Sequence, residues 1–148
     1  SQLISINLDL NQVFAEKKGI KLINSAKGKT NAIGDQEMIN TVIRNLINNA
    51  VKYTSEGGTI EVKVQSFNDY LEISVCDEGI GISPEDKKKL FQIDVKYKKP
   101  GTAGETGTGL GLILCREFVE KNKGKIWIES ELGEGSCFKF TLPNKTLR

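Results

Sequence analysis

Two hydrophobic periods stand side by side in the middle of this chain, and together they allow few folds. Behind Asp35, a residue suited to an N-cap, Ile39, Val42, Ile43, Leu46 and Ala50 recur at helical spacing and predict one amphipathic helix over residues 36 to 53. Glu56-Gly57-Gly58 then turns the chain into Ile60, Val62 and Val64, and Asn68-Asp69 turns it back into Leu71, Ile73 and Val75. Each trio alternates with polar residues, the pattern of an antiparallel hairpin with one buried face.

The flanking segments supply more of the same two layers. A short helix is expected over residues 8 to 18, through Leu10, Val13 and Phe14, stopped by Gly19. Strands are expected at 20 to 23 and, past Lys27-Gly28-Lys29, at 30 to 33. Ser83-Pro84-Glu85-Asp86 combines a cap, a first-turn proline and two acids, which begins a short helix reaching Leu90 and Phe91. Residues 92 to 108 lose all periodicity and gather Lys96, Lys98, Lys99, Pro100, Gly101 and Gly104, a loop long enough to act as a lid. Leu110, Ile113, Leu114 and Phe118 resume helical spacing until Gly124, and strands follow at 125 to 130 and 137 to 142. The expected fold class is an α/β (α+β) two-layer sandwich: a mixed, mostly antiparallel sheet with its helices on one face. At 148 residues and 38% hydrophobic content, residues 1–148 read as one domain with one core.

Composition removes several functions. Lys plus Arg (21) against Asp plus Glu (19) leaves +2, so no global field draws the chain to nucleic acid or to an acidic membrane. Lys87, Lys88 and Lys89 read as a solvated helix face, and Lys96, Lys98 and Lys99 as part of the lid, because no aromatic residues interleave them for base stacking. The apolar runs fall short of the ~18 to 20 residues that cross a bilayer, and the N-terminus lacks the basic-then-apolar order of a signal peptide. A soluble cytoplasmic domain without membrane contact of its own is expected. Cys76, Cys115 and Cys137 lie far apart among apolar neighbours and read as buried thiols in a reducing compartment. The Asn144-Lys-Thr sequon reads as chance. There is no histidine, which excludes a Ser-His triad, a His-ligated zinc and an imidazole base within these residues.

Three polar islands remain. Asn45, Asn49 and Lys52 are spaced i, i+4, i+7 on the 36-to-53 helix, beside its apolar face, with Asn48 between them. Amide oxygens suit Mg²⁺ and an ammonium suits phosphate, although three solvated residues would leave the same pattern. Asp77 ends an apolar strand and precedes Gly79 and Gly81, where glycine permits positive φ and close ligand approach; a carboxylate there can accept a bond from an exocyclic amine such as adenine's, or simply form a turn. Gly107-Thr108-Gly109-Leu110-Gly111 runs into a helix, placing free N–H groups where a phosphate can bind, or else forming a flexible entry loop. A Rossmann fingerprint fails because Leu114 stands at its third glycine, and a P-loop ending at Gly28-Lys29-Thr30 fails because Ile23 stands at its first.

In this order the islands resemble the boxes of sensor histidine kinases, members of the GHKL ATPases with the Bergerat fold. Asn45-Leu-Ile-Asn-Asn-Ala-Val-Lys-Tyr-Thr54 is similar to the N box, Asp77-Glu-Gly-Ile-Gly81 to the first glycine box, Leu90-Phe91 to the F box, and Gly107-Thr-Gly-Leu-Gly-Leu112 to the second glycine box. The resemblance covers roughly residues 8 to 143. It implies that Asn49 ligates Mg²⁺ with Asn45 in support, that Lys52 contacts the phosphates of ATP, and that Tyr53 packs on the adenine. It further implies that Asp77 bonds the adenine amine, that Gly79 and Gly81 shape the pocket, that residues 92 to 108 form the ATP lid, and that Gly107, Thr108, Gly109, Leu110 and Gly111 close over the phosphates. Lys96 occupies the lid position where many relatives carry Arg, and Asp94 stands where a second aromatic often follows Phe91.

The resemblance also divides kinases from hydrolases. Gyrase and the ninety-kilodalton heat-shock chaperone carry a water-activating Glu at the position of Asn45, and an amide cannot act as a general base. Transfer of the γ-phosphoryl group to a histidine on a separate dimerisation domain, and onward to a response regulator, is the function implied. A serine kinase of the anti-sigma-factor type and a non-catalytic ATP-sensing module are the alternatives.

Overall fold

In a computed structural model of the chain, the described residues are 2–26, 31–79, 84–85, 111–131 and 133–144. Their elements run α1 (Gln2–Lys17), β1 (Lys21–Asn24), α2 (Gln36–Tyr53), β2 (Thr59–Ser66), β3 (Tyr70–Asp77), α3 (Gly111–Lys121), β4 (Ile126–Glu131) and β5 (Gly135–Pro143).

Asp35 caps α2 as its sequence position predicts: its backbone is extended, and its carboxylate accepts from the Met38 N–H at 3.0 Å. Val42, Ile43, Leu46, Ile47, Ala50 and Val51 then form a continuous buried stripe. The strands order as β1-β2-β3-β5-β4, with β1 parallel to β2 across the α2 crossover and every other pair antiparallel. Alternation along β2, β3 and β5 sends Ile60, Val62, Leu71, Ile73, Val75, Phe138, Phe140 and Leu142 into one core with the helices. Each such side chain contributes about 1.5–3 kcal/mol on burial. The opposite face carries Glu61, Lys63, Glu72, Cys76, Cys137, Lys139 and Thr141, and Lys139 bridges Glu72 at 3.6 Å and Glu129 at 2.9 Å. The mixed, mostly antiparallel sheet with helices on one face is the expected architecture.

Four local expectations need correction. α1 begins at Gln2, not near residue 8, and buries Ile4, Asn7, Leu8, Asn11 and Ala15. Leu10, Val13 and Phe14, the residues that announced a helix, are 63%, 59% and 59% exposed. Polar residues disguised the true inner face: Asn7 donates to the Leu3 carbonyl and the Asn40 amide oxygen, both at 2.8 Å, and Asn11 donates to the Asn7 carbonyl at 2.9 Å. With Ile6, the exposed trio leaves α1 with a second apolar stripe facing outward.

Residues 31–33 form no strand; a single bond from the Ile33 N–H to the Pro143 carbonyl ties them to the sheet, and Thr30 lies outside the described residues. α3 is ended by Lys123, which takes φ +65°, and not by a left-handed Gly124. Gly124 is required for a different reason: a Cβ there would strike the Thr141 carbonyl oxygen. Finally, only Cys115 is a buried thiol. Cys76 and Cys137 are register partners on the face away from the helices, with Cα atoms 4.0 Å apart, and are joined as a disulfide. They are 61 residues apart, so sheet register brings them together and sequence spacing could not show it. Of the short helix expected from Ser83, Pro84 and Glu85 are helical, and the remainder lies outside the described residues.

One buried cation fixes the end of α2. Lys18 donates to the Val51 carbonyl at 3.0 Å and the Lys52 carbonyl at 3.1 Å, satisfying last-turn groups that have no helical partner. Lys18→Met is expected to lower stability by about 1–3 kcal/mol, because charged hydrogen bonds to buried carbonyls are lost. A denaturant midpoint equal to that of the parent would contradict this cap. Among the described residues, no helix is long and apolar enough to cross a membrane.

Candidate functional site

The second half of α2 projects Asn45, Asn49, Lys52 and Tyr53 as half-buried side chains along the edge of its core stripe, whereas Asn48 turns outward. The spacing prediction for this stripe therefore describes its placement. Lys52 Nζ stands 5.2 Å from the centre of the Tyr53 ring. Gly111, the last glycine of the glycine run, opens α3 directly against this stripe: a Cβ built on it would lie 3.8 Å from Asn45 Oδ1. The helix N-terminus and its dipole thus meet the amide. Beneath them, Cys115 is wholly buried, and burial pushes its thiol up to about 12 while the Asn45 side chain opposes that shift. From Asn45 and Gly111 a groove of ≈460 Å³ runs between α2 and α3, lined also by Thr41, Arg44, Ile113, Leu114 and Glu117.

Asp77 approaches from the other side. Thr54, the C-cap of α2, is fully buried and forms an isolated antiparallel bridge with Gly79, so the end of the helix and the turn after β3 are held as one unit. Gly79 is needed for this contact, since a Cβ would strike the Tyr53 carbonyl and lie 2.7 Å from Asp77 Oδ1. Its φ is not positive, contrary to the expected reason for glycine.

Asp77 is 8% exposed and is bound by three donors: the Gly79 N–H at 2.8 Å, the Ser136 hydroxyl at 3.1 Å and the Ser136 N–H at 3.3 Å. Burial raises its pKa above the ordinary carboxylate value, and the bonds from Gly79 and Ser136 oppose the rise. Gly135, at φ +88°, lets β5 begin directly against the Asp77 backbone.

The structure therefore brings Asn45, Asn49, Lys52, Tyr53, Asp77, Gly79 and Gly111 to one end of the sheet and helix layers. Gly81, Phe91, Lys96, Gly107, Thr108, Gly109 and Leu110 lie outside the described residues. Sequence reasoning did not assign Thr54, Cys115, Gly135 or Ser136 to the site, although the reading of Cys115 as a buried thiol holds. Only the pairing of β3 with the last strand sets Ser136 opposite Asp77, so no local motif pointed to it. Among the described residues no group of three His, Cys, Asp or Glu side chains could hold a metal. The donor set of two neutral amides one helical turn apart fits Mg²⁺, which keeps several waters and shares phosphate oxygens.

A family model described as the histidine kinase-, DNA gyrase B- and HSP90-like ATPase matches residues 34–146. The chain belongs to this ATPase family. Its histidine kinase branch is shown by the nucleotide-free catalytic domain of histidine kinase ThkA, 30% identical, with a TM-score of 0.82 over 97% of this chain and 91% of that one. The sheet and helices of the ATPase domain are accordingly those of the Bergerat fold. ThkA in complex with the response regulator protein TrrA matches at 27% identity and a TM-score of 0.77, over 97% of this chain and 40% of that chain. Full-length ShkA in complex with AMPPNP matches at 25% identity and a TM-score of 0.82, over 99% of this chain and 30% of that chain. The adaptive-response sensory kinase SasA of Crocosphaera subtropica is 41% identical over 129 residues, 86% of this chain and 33% of the relative. The ATPase domain thus spans about a third of the length of the curated relatives it matches.

Proposed function

We propose that this domain binds Mg-ATP and passes the γ-phosphoryl group to a histidine on the dimerisation domain of its parent sensor kinase, from which a response regulator takes it in two-component signalling. One observation carries the reading: the Thr54–Gly79 bridge joins the clasped carboxyl of Asp77 to the helix that presents Asn45, Asn49 and Lys52. The proposed adenine acceptor and the proposed phosphate-facing stripe would thereby be held at a fixed separation, as one nucleotide requires. The complexes of ShkA with AMPPNP, an ATP analogue, and of ThkA with TrrA support the same assignment.

In this reading Asp77 accepts a hydrogen bond from the adenine amine, Tyr53 packs on the ring, and Gly79 and Gly81 leave room for the base. Lys52 faces the phosphates, while the N–H groups of Gly107, Thr108, Gly109, Leu110 and Gly111 and the N-terminus of α3 bind them. Phe91, in the F box, precedes the lid, and Lys96 belongs to it. Asn49, supported by Asn45, would hold Mg²⁺, which when bound neutralises charge developing on the phosphoryl oxygens. Asn45 orients and cannot take a proton from water, so hydrolysis is slow and a protein nucleophile is favoured. Phosphoryl transfer needs little covalent help, so positioning by these residues supplies most of the catalysis.

The chain holds no histidine, so the acceptor lies outside these residues. Incubated with labelled ATP, the chain alone is expected to remain unlabelled, and a separately supplied dimerisation domain is expected to gain an acid-labile label. An acid-stable label would mark a serine acceptor instead. No label, despite tight ATP binding, would contradict the kinase reading.

A further inference from the structure

Cys76 on β3 and Cys137 on β5 are directly opposed, with Cα atoms 4.0 Å apart, the close spacing of a pair that shares no ladder hydrogen bond. Both are half-buried on the sheet face away from the helices, within reach of small solutes. The next pair in the same register is Asp77 and Ser136, whose hydrogen bonds hold the Asp77 carboxyl on the opposite face. The covalent link and the carboxyl clasp are therefore consecutive steps of one ladder, at the end where β3 stops.

We propose that Cys76 and Cys137 form a reversible thiol–disulfide modification site, and that opening it loosens the Asp77–Ser136 clasp and weakens nucleotide binding. The second half rests on the adenine-binding reading of Asp77. The chemistry is exchange with a small dithiol. One thiolate of the reagent attacks a cysteine sulfur, the Sγ–Sγ bond breaks, and the other cysteine leaves as a thiolate and takes up a proton. The reagent's second thiol, on losing its proton, displaces the first cysteine from the mixed disulfide. Two electrons pass to the protein and the dithiol becomes a cyclic disulfide; a low-molecular-weight disulfide runs the reaction in reverse.

Neighbouring groups make the site selective. Cys115 is buried between α2 and α3, where its thiolate is scarce, so it stays out of the exchange. Glu61 on β2 and Glu129 on β4 extend the row on either side of the pair. Both are held below the usual carboxylate range, Glu61 chiefly by the Ser25 hydroxyl and Glu129 chiefly by Lys139. Lys63 lies 3.4 Å from Glu61 and Lys139 2.9 Å from Glu129, so the charges flanking the pair are largely balanced, and the test is read at equilibrium.

The 148-residue chain is equilibrated with a small dithiol or with a small disulfide, and alkylated without denaturant. Cys76 and Cys137 are expected to alkylate only after reduction, and Cys115 in neither state. Reduction is expected to speed hydrogen exchange at the Ser136 amide and to weaken affinity for an ATP analogue about fivefold. The variant Cys76→Ser/Cys137→Ser is expected to match the reduced protein whatever reagent is present. A pair that stays alkylatable after treatment with the small disulfide overturns the site. A pair that closes without changing Ser136 exchange overturns its coupling to the clasp, as does an unchanged affinity in a chain that binds the analogue. If Ser136 exchange follows the redox state while neither form binds nucleotide, the redox site stands and the adenine reading of Asp77 fails.

Discussion

Replacing Asp77 with Asn is expected to weaken ATP binding by roughly 10- to 150-fold while leaving the fold intact. The estimate is the value of one hydrogen bond to a charged group, about 1.5–3 kcal/mol, converted to affinity. The fold survives because the amide oxygen of Asn still accepts from the Gly79 N–H, and its size matches the space bounded by Ser136 and Gly79. A pH titration separates this effect from general damage. Burial raises the Asp77 pKa in the fold, so the folded state holds a proton where the unfolded chain has lost it. This contribution to stability is present below the unfolded value and is lost as pH rises through the folded one. Nucleotide binding through the carboxylate, as proposed, is expected to have the opposite slope, falling as pH drops through the same raised value. Asp77→Asn should remove both slopes. Calorimetric titration of the variant checks the claim, and unchanged ATP affinity would show that the base does not lie against Asp77.

The second large effect is expected at Asn49. Asn49→Ala should lower phosphoryl transfer to a supplied acceptor domain on the order of 10²–10³-fold, the cost of removing one preorganised group that stabilises the transferring charge. Asn49 is half-buried one turn after Asn45, and its loss leaves the core stripe of α2 untouched. In the proposed reading Asp77 contacts the adenine and Asn49 the metal, so ATP measured without Mg²⁺ should bind the variant nearly as it binds the parent. Single-turnover labelling, compared with metal-free binding, separates the two effects. Equal losses in both would mean that Asn49 supports the fold or the base pocket instead of the metal.

Much of this arrangement could be read from local chemistry. The apolar period of α2 and its Asp35 cap were sufficient because every signal along that helix agrees, and the same holds for the hairpin of β2 and β3. The positions of Asp77 and of the Asn45, Asn49, Lys52 stripe were legible because the first ends an alternating strand and the others recur at helical spacing beside the apolar face. What escaped detection depends on register. Ser136 meets Asp77, and Cys76 meets Cys137, only once β5 is placed beside β3. The inner face of α1 escaped for another reason, since hydrogen-bonded Asn7 and Asn11 occupy positions where periodicity looks for apolar residues. Gly79 and Gly124 were singled out as glycines, yet each is needed for a close backbone approach from a distant element, which no sequence window contains.

The proposed function requires one cleft to take a nucleotide together with its metal. Calorimetric titration of the chain with an ATP analogue, with and without Mg²⁺, tests it most directly. Saturable one-to-one binding that tightens when Mg²⁺ is present, and loses that tightening in Asn49→Ala, is the expected result. No heat of binding in either buffer, or an affinity indifferent to Mg²⁺, would contradict it.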